Sequence, residues 1–258
     1  MRSTLTLLTL LLLSLAAAQN SPFYLLSTLP EINVGESVRG ALTEDDGQNF
    51  FDGSYVDLIK FYGVADEVVE VSVTSYDFIP YLALYSSDGT LLANGGNDYW
   101  GNQATLSFGL PVSGRYHIVV NGSDQYEMGD YTVSLDALEA VDGGELQAGA
   151  SVLGVLQAND EADRGAFYDI YTVTFDKPMS EVLITMSSGL IGPYLYLYNE
   201  GGRSVLAEDG DSWGSAQLDL VDLPAGTYEI VATSYYTDEM GTYELALDAR
   251  GPDTFTSN

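Results

Sequence analysis

The chain says most of what it says twice. "GESVRGAL" from Gly35 returns as "GASVLGVL" from Gly149, and "SYDFIPYLALYSSDG" from Ser75 returns as "SGLIGPYLYLYNEGG" from Ser188. "LPVSGRYHIVV" from Leu110 returns as "LPAGTYEIVA" from Leu223, and "EMGDYTVSLDA" from Glu127 returns as "EMGTYELALDA" from Glu239. The offset stays near 113 residues, so insertions are confined to turns. A repeat of about 110 residues is far longer than the roughly 20–50 of a solenoid unit and has the size of a whole domain. Whatever one copy folds into, the other must also be able to fold into.

Within each copy the pattern is β. "EVVEVSVTS", "PYLALYS", "ATLSFGL", "RYHIVV" and "DYTVSLDA" alternate apolar with polar residues and are rich in Val, Tyr, Thr and Leu, as strands with one buried face are. Turn signals at "SSDG", "NGGN", "PVSG" and "YEMGD" separate them. The reading is all-β: two tandem antiparallel β-sandwich domains of jelly-roll type, at residues 32–138 and 146–250. The acidic stretch "EAVDGGE", residues 139–145, reads as a short linker, and residues 251–258 as a polar tail.

Residues 1–18 read as a cleavable signal peptide, with Arg2, an apolar run over residues 5–15 and alanines at 16–18. The run is too short for a membrane span. The expected localisation is secreted or periplasmic, without membrane insertion. There is no cysteine, which excludes disulfides and a lipid-bearing cysteine, so each domain must be held by its own core or by metal. The net charge of -30, from 38 acidic and 8 basic residues, repels nucleic acid and anionic lipid and favours cations.

The phrases "YVDLIKF" and "FYDIYTV", "PYLALYSSDGTLLA" and "PYLYLYNEGGRSVLA", "LPVSGRYHIVV" and "LPAGTYEIVA", and the closing "GDYTVSL" and "GTYELAL" occur in the same order in both copies. In this order they resemble the bacterial pre-peptidase C-terminal domain family, over both repeats. The resemblance implies a β-sandwich accessory module of the kind appended to secreted peptidases and in some cases removed during maturation. Related modules of clostridial collagenases bind collagen and calcium. Neither copy reads as a peptidase domain.

The residues leave little room for catalysis. His117 is the only histidine, so zinc sites built on paired histidines are excluded, and no G-x-S-x-G elbow accompanies it. Its counterpart in the second copy is Glu229, which makes an exposed strand position the expected one. Carboxylates are abundant enough for a glycosidase-like pair, but a domain duplicated whole with different acids in each copy argues against one specialised active site.

Calcium suits the acidic segments better, because hard cations take oxygens from carboxylates and carbonyls on loops. The first region holds Glu44, Asp45, Asp46, Asp52 and Asp57, matched by Asn159, Asp160, Glu161, Asp163 and Asp169. The resemblance implies calcium in a comparable acidic segment. The second region holds Asn97 and Asp98, matched by Glu208, Asp209 and Asp211. Neither fits EF-hand spacing, and solvated turns are the competing reading for both.

For ligand contact the sequence offers loop aromatics: Tyr99, Trp100, Trp213, Tyr235 and Tyr236. The two tryptophans stand at equivalent places beside glycine, and burial as loop anchors is the alternative. The strand tyrosines Tyr81, Tyr116, Tyr131, Tyr194, Tyr228 and Tyr243 recur between copies and read as core or corner residues. The expectation is an exported, non-catalytic binding or scaffolding protein whose partner is an extracellular protein or polysaccharide. The rivals are a secreted hydrolase and an envelope spacer.

Overall fold

The computed structural model describes residues 29–49, 52–96, 101–199, 204–212 and 214–252, and every regular element among them is a strand. The signal peptide call lies outside the described residues. The chain divides into two compact units, Met1–Leu138 and Glu139–Asn258.

The first unit contains β1 (Glu36–Leu42), β2 (Gly47–Gln48), β3 (Tyr55–Gly63), β4 (Val68–Ser75), β5 (Pro80–Ser86), β6 (Leu91–Gly96), β7 (Gln103–Gly109), β8 (Gly114–Gly122) and β9 (Gly129–Leu138). They form one sheet in the order β1-β9-β4-β7 and another in the order β2-β3-β8-β5-β6, with every pairing antiparallel. With the short β2 set aside, this is the strand order of a jelly roll.

The second unit contains β10 (Gly144–Glu145), β11 (Ala150–Leu156), β12 (Glu161–Asp163), β13 (Ala166–Phe175), β14 (Met179–Ser188), β15 (Pro193–Asn199), β16 (Val205–Gly210), β17 (Gly214–Leu223), β18 (Gly226–Ser234) and β19 (Gly241–Arg250). Its sheets run β11-β19-β14-β17 and β10-β13-β18-β15-β16, with β12 on β13, so the topology of the first unit is reproduced. Even the register shift between β5 and β6 at Leu84/Tyr85 recurs between β15 and β16 at Leu197/Tyr198.

Period-two alternation builds the core. Along β19, Tyr243, Leu245 and Leu247 are buried while Glu244 and Asp248 face water. They meet Val182, Ile184 and Met186 from β14, and Leu195 and Leu197 from the opposite sheet, in one cluster. Each such side chain contributes about 1.5–3 kcal/mol by leaving water. No disulfide is needed to hold a core of this size.

The repeated octapeptide acquires a reason. Gly35 and Gly149 have φ of +85° and +82°, a left-handed turn that favours glycine, and their N–H groups donate to Leu135 and Leu247 carbonyls at 2.7 Å. Gly40 and Gly154 leave room for a ring. A Cβ there would lie 2.3 Å and 2.2 Å from Cζ of Tyr131 and Tyr243. Tyr116 and Tyr228 are corner tyrosines, as expected, donating to the carbonyls of Val112 at 2.5 Å and Pro224 at 2.8 Å.

Residues 139–145 are not a free linker. β10 pairs in parallel with β13, Val141 N–H donates to the Leu153 carbonyl at 2.9 Å, and the segment belongs to the second unit. The glycines let the backbone lie close. Gly143 has φ of +72°, and a Cβ on it would stand 2.5 Å from the Ile170 carbonyl oxygen.

The substitution Gly154→Ala places a methyl group inside the Tyr243 ring and is expected to cost about 1–3 kcal/mol. A calorimetric scan should show the melting of the second unit lowered while that of the first unit is unchanged.

Candidate functional site

The first candidate is a knot of carboxylates at the edge of the second sandwich. Asp169 lies on β13 on the side facing the core, 2% exposed. The Tyr243 hydroxyl from β19 donates to its Oδ2, and the Tyr171 hydroxyl lies 2.9 Å from that of Tyr243. Tyr171 in turn donates to the Val141 carbonyl at 3.2 Å. The other Asp169 oxygen, Oδ1, is buried without a hydrogen-bond donor.

What lies beside Asp169 is more negative charge. Ligand atoms of Asp142, Asp160 and Asp169 all lie within 4.8 Å of one another. Asp142 comes from the segment before β10, and Asp160 from the turn before β12, where it also accepts from the Gln157 N–H at 2.5 Å. Burial first, then the Asp142 and Asp160 carboxyls, pushes the Asp169 carboxyl up to about 8 against the help of Tyr243. Burial and the same carboxylate push Tyr171 up to about 12 and hold Tyr243 well above the usual tyrosine value. Such a site is relieved by a proton or by a cation.

The first unit carries a reduced version. The Tyr131 hydroxyl donates to Asp57 at 2.7 Å, and burial raises the Asp57 carboxyl, with Asp46 adding to the rise. Ile59 stands where the second unit has Tyr171, and Thr28, outside the described residues, stands in sequence where it has Asp142.

Of the acidic residues singled out from the sequence, the structure joins Asp160 to Asp169 and places Asp46 near Asp57. Glu44 and Asp45 are exposed in the β1–β2 turn, where Asp46 caps Thr43 at 2.6 Å. Asp52 accepts from Ser54 and Asn49. Glu161 stands apart from the trio and accepts from the Tyr168 hydroxyl at 2.6 Å, and Asp163 lines a groove described next. Asp209 accepts from the Gln217 N–H at 2.7 Å. Asp142 was not singled out.

The second candidate is the outer face of the β13-β18-β15 sheet. Tyr194, Tyr196 and Tyr198 alternate along β15 with Leu195 and Leu197, which enter the core. The tyrosine rings pack side by side outside, tilted against one another, with centroids 4.8 Å and 6.0 Å apart. Tyr235 lies 6.0 Å from Tyr194, and Tyr236 lies 5.1 Å from Tyr235. Tyr194, Tyr196, Tyr198 and Tyr235, with Tyr168 and Ile170, bound a groove of about 500 Å³ whose lining includes Asp163, Glu229 and Arg164 but not Tyr236. Tyr235 and Tyr236 are half exposed, at 52% and 50%. Tyr99, Trp100 and Trp213 lie outside the described residues, as do Asn97 and Asp98.

Two readings are corrected. Tyr194 and Tyr81 are not core residues: each stands on the outer phase of its strand, and Tyr81 donates to Asn94 at 2.9 Å. His117 is not an exposed strand residue. It is 3% exposed among Lys60 and Tyr85 on the neighbouring strands, and desolvation lowers its pKa.

No family model and no curated protein matches the chain. Among solved structures it is similar to the pre-peptidase C-terminal domain of collagenase from Bacillus anthracis, at 20% identity over 42% of this chain and 94% of that one, with a TM-score of 0.34. It is also similar to PliG from Aeromonas hydrophila, a periplasmic inhibitor of g-type lysozyme, at 13% identity over 43% of this chain and 97% of that one, with a TM-score of 0.29. The first of these is a domain of the family whose motifs the sequence resembles.

The raised Asp169 pKa fixes the sign of a pH effect. The folded state holds the proton more tightly than the unfolded state, so this stabilisation is complete below the ordinary value of 3.8 and is lost as pH rises through about 8. In chelator, the melting temperature of the second unit should therefore fall between pH 5 and 8, and Asp169→Asn should flatten the trend.

Proposed function

We propose that the chain is an exported, non-catalytic binding protein whose ligand site is the tyrosine groove of the second unit, held on a scaffold that a calcium ion tightens. The observation that carries this reading is the row of Tyr194, Tyr196 and Tyr198 turned outward on a regular strand and continued by Tyr235. A row of packed tyrosines gives contact area at little conformational cost, which is the chemistry of protein-binding surfaces. The rings tilt against one another by 31–38° and form one continuous row. Asp163 and Glu229 in the lining and the net charge of -30 favour a partner with cationic side chains. The ligand class is an extended protein segment bearing Lys or Arg.

Calcium would be held by Asp142, Asp160 and Asp169, completed by carbonyls or water, since it takes six to eight oxygens. It would supply charge neutralisation and join three segments distant in sequence. One oxygen from each of the three carboxylates lies within 4.8 Å of the others, close enough for a single ion to meet all three. Export rests on reading residues 1–18 as a signal peptide.

Binding is tested on residues 19–258 immobilised against an array of extended peptides, with neutral polysaccharides alongside. Peptides containing Lys or Arg should bind, and Tyr194→Ala with Tyr196→Ala should weaken them at least roughly tenfold. Binding confined to the polysaccharides would overturn the ligand class. Binding that survives the double substitution would move the site elsewhere.

For the metal, millimolar calcium added after chelation should raise the melting temperature of the second unit by several degrees. Asp142→Asn or Asp169→Asn should remove the rise, while Glu161→Gln should keep it.

A further inference from the structure

The first unit has a groove at the place where the second carries its tyrosine row, and the two are lined differently. Tyr81 pairs with Asn121 as Tyr194 pairs with Thr233, and Ala83 pairs with Asn94 as Tyr196 pairs with Glu208. On the outward phase of β3, β8 and β5, Val56, Leu58, Val119, Ala83 and Tyr85 form a buried apolar layer. Ala83 and Tyr85 from this layer, with Leu91, give the groove an apolar side, and Tyr81, Asn94, Asn121 and Asp52 give it a polar one. Its volume of about 390 Å³ falls in the range of small-molecule sites, roughly 300–1,000 Å³. Among the described residues that line it there is no Lys, Arg or His.

Two of its amides are fixed in orientation by what they touch. Ser54 Oγ donates to Asp52 at 2.7 Å, so toward Asn121 it can only accept, and Asn121 Nδ2 lies 3.2 Å from it. The other Nδ2 hydrogen goes to the Gly122 carbonyl at 3.1 Å. The donor half of Asn121 is thereby used up. Its Oδ1 is left without a donor among the described residues, although Asn121 is only 7% exposed. An amide oxygen held in so little water is satisfied best by a donor that enters the groove. Asn94 is set the other way. The Tyr81 hydroxyl donates to its Oδ1 at 2.9 Å, so its Nδ2 is the half that is offered. Asp52 is engaged on both oxygens, Oδ1 by the Ser54 N–H at 2.9 Å and Oδ2 by Asn49 at 3.1 Å.

One fixed acceptor and one fixed donor beside a tyrosine ring suit a ligand that is uncharged, donates and accepts at neighbouring atoms, and has an apolar face. Adjacent sugar hydroxyls meet the first two needs, and the C–H face of a pyranose ring meets the third. The second unit lacks this set. There Thr233 spends its hydroxyl on the Phe167 carbonyl at 2.6 Å, and Glu208 and Tyr196 stand where the first unit has Asn94 and Ala83.

We infer that the groove of the first unit binds a neutral saccharide, with Asn121 Oδ1 accepting from one hydroxyl, Asn94 Nδ2 donating to another, and the sugar ring against Tyr81. The assignment does not depend on what the tyrosine groove of the second unit binds.

Residues 19–258, titrated calorimetrically with maltohexaose, cellohexaose, mannohexaose and chitohexaose, should bind at least one of these sugars. Asn121→Thr and Asn94→Glu each install the residue that the second unit carries at that place. Each should weaken the binding at least roughly tenfold while the melting temperature of the first unit holds. If Asn121→Thr lowers that temperature, Asn94→Glu decides, because Asn94 is exposed. Failure of every sugar to bind would overturn the inference, and so would binding that neither substitution weakens. Binding lost on Tyr194→Ala with Tyr196→Ala would put the sugar in the second unit's groove and sink the assignment, whatever the peptide array shows.

Discussion

A tyrosine hydroxyl donated to a carboxylate between the two sheets is the contact on which each unit is built. It joins β9 to β3 through Tyr131 and Asp57 and β19 to β13 through Tyr243 and Asp169, and it requires a glycine on β1 or β11 so that the ring can lie close against the backbone. A buried carboxylate is costly unless it is satisfied, so this contact also decides what chemistry its surroundings take up. In the first unit one donor and partial exposure suffice. In the second, deeper burial and two further carboxylates turn the same contact into a site that calls for a proton or a cation.

Duplication followed by divergence accounts for the rest of the molecule. The cores of the two units are interchangeable in pattern, and the corner tyrosines, the left-handed glycines and the register shift recur. The outer faces of the larger sheets diverge more: Val56, Leu58, Lys60, Ala83 and His117 in one stand where Tyr168, Ile170, Thr172, Tyr196 and Glu229 stand in the other, while Tyr85 and Val119 are matched by Tyr198 and Val231. The scaffold was preserved where it carries the fold and altered where it meets something else.

Much of this was legible in the sequence and some was not, for physical reasons. The repeat and the period-two alternation suffice for two jelly rolls, because buried faces leave a pattern in every strand. Asp160 and Asp169 stood out because both lie in one acidic segment. Asp142 did not, since it approaches them only after Gly143 and β10 fold back along β13, a contact between segments that composition cannot register. The tyrosine row was hidden by recurrence: Tyr194 matches Tyr81, and recurrence alone suggested a core residue, whereas the alternation with Leu195 and Leu197 puts it outside. His117 was misjudged because an outward phase normally means water, and here it means a second apolar layer.

The segment that enters the second unit bears on resistance to proteolysis. Proteases act on backbone that can be drawn out into an extended, unpaired form, and the joint between two domains is ordinarily where such backbone is found. Here β9 runs to Leu138, and by Val141 the chain is already hydrogen-bonded to Leu153, so Glu139 and Ala140 are all that lies between. Cleavage of the joint therefore waits on opening of the second unit, and the lifetime of the intact pair is set by that unit's stability and not by the chemistry of the joint.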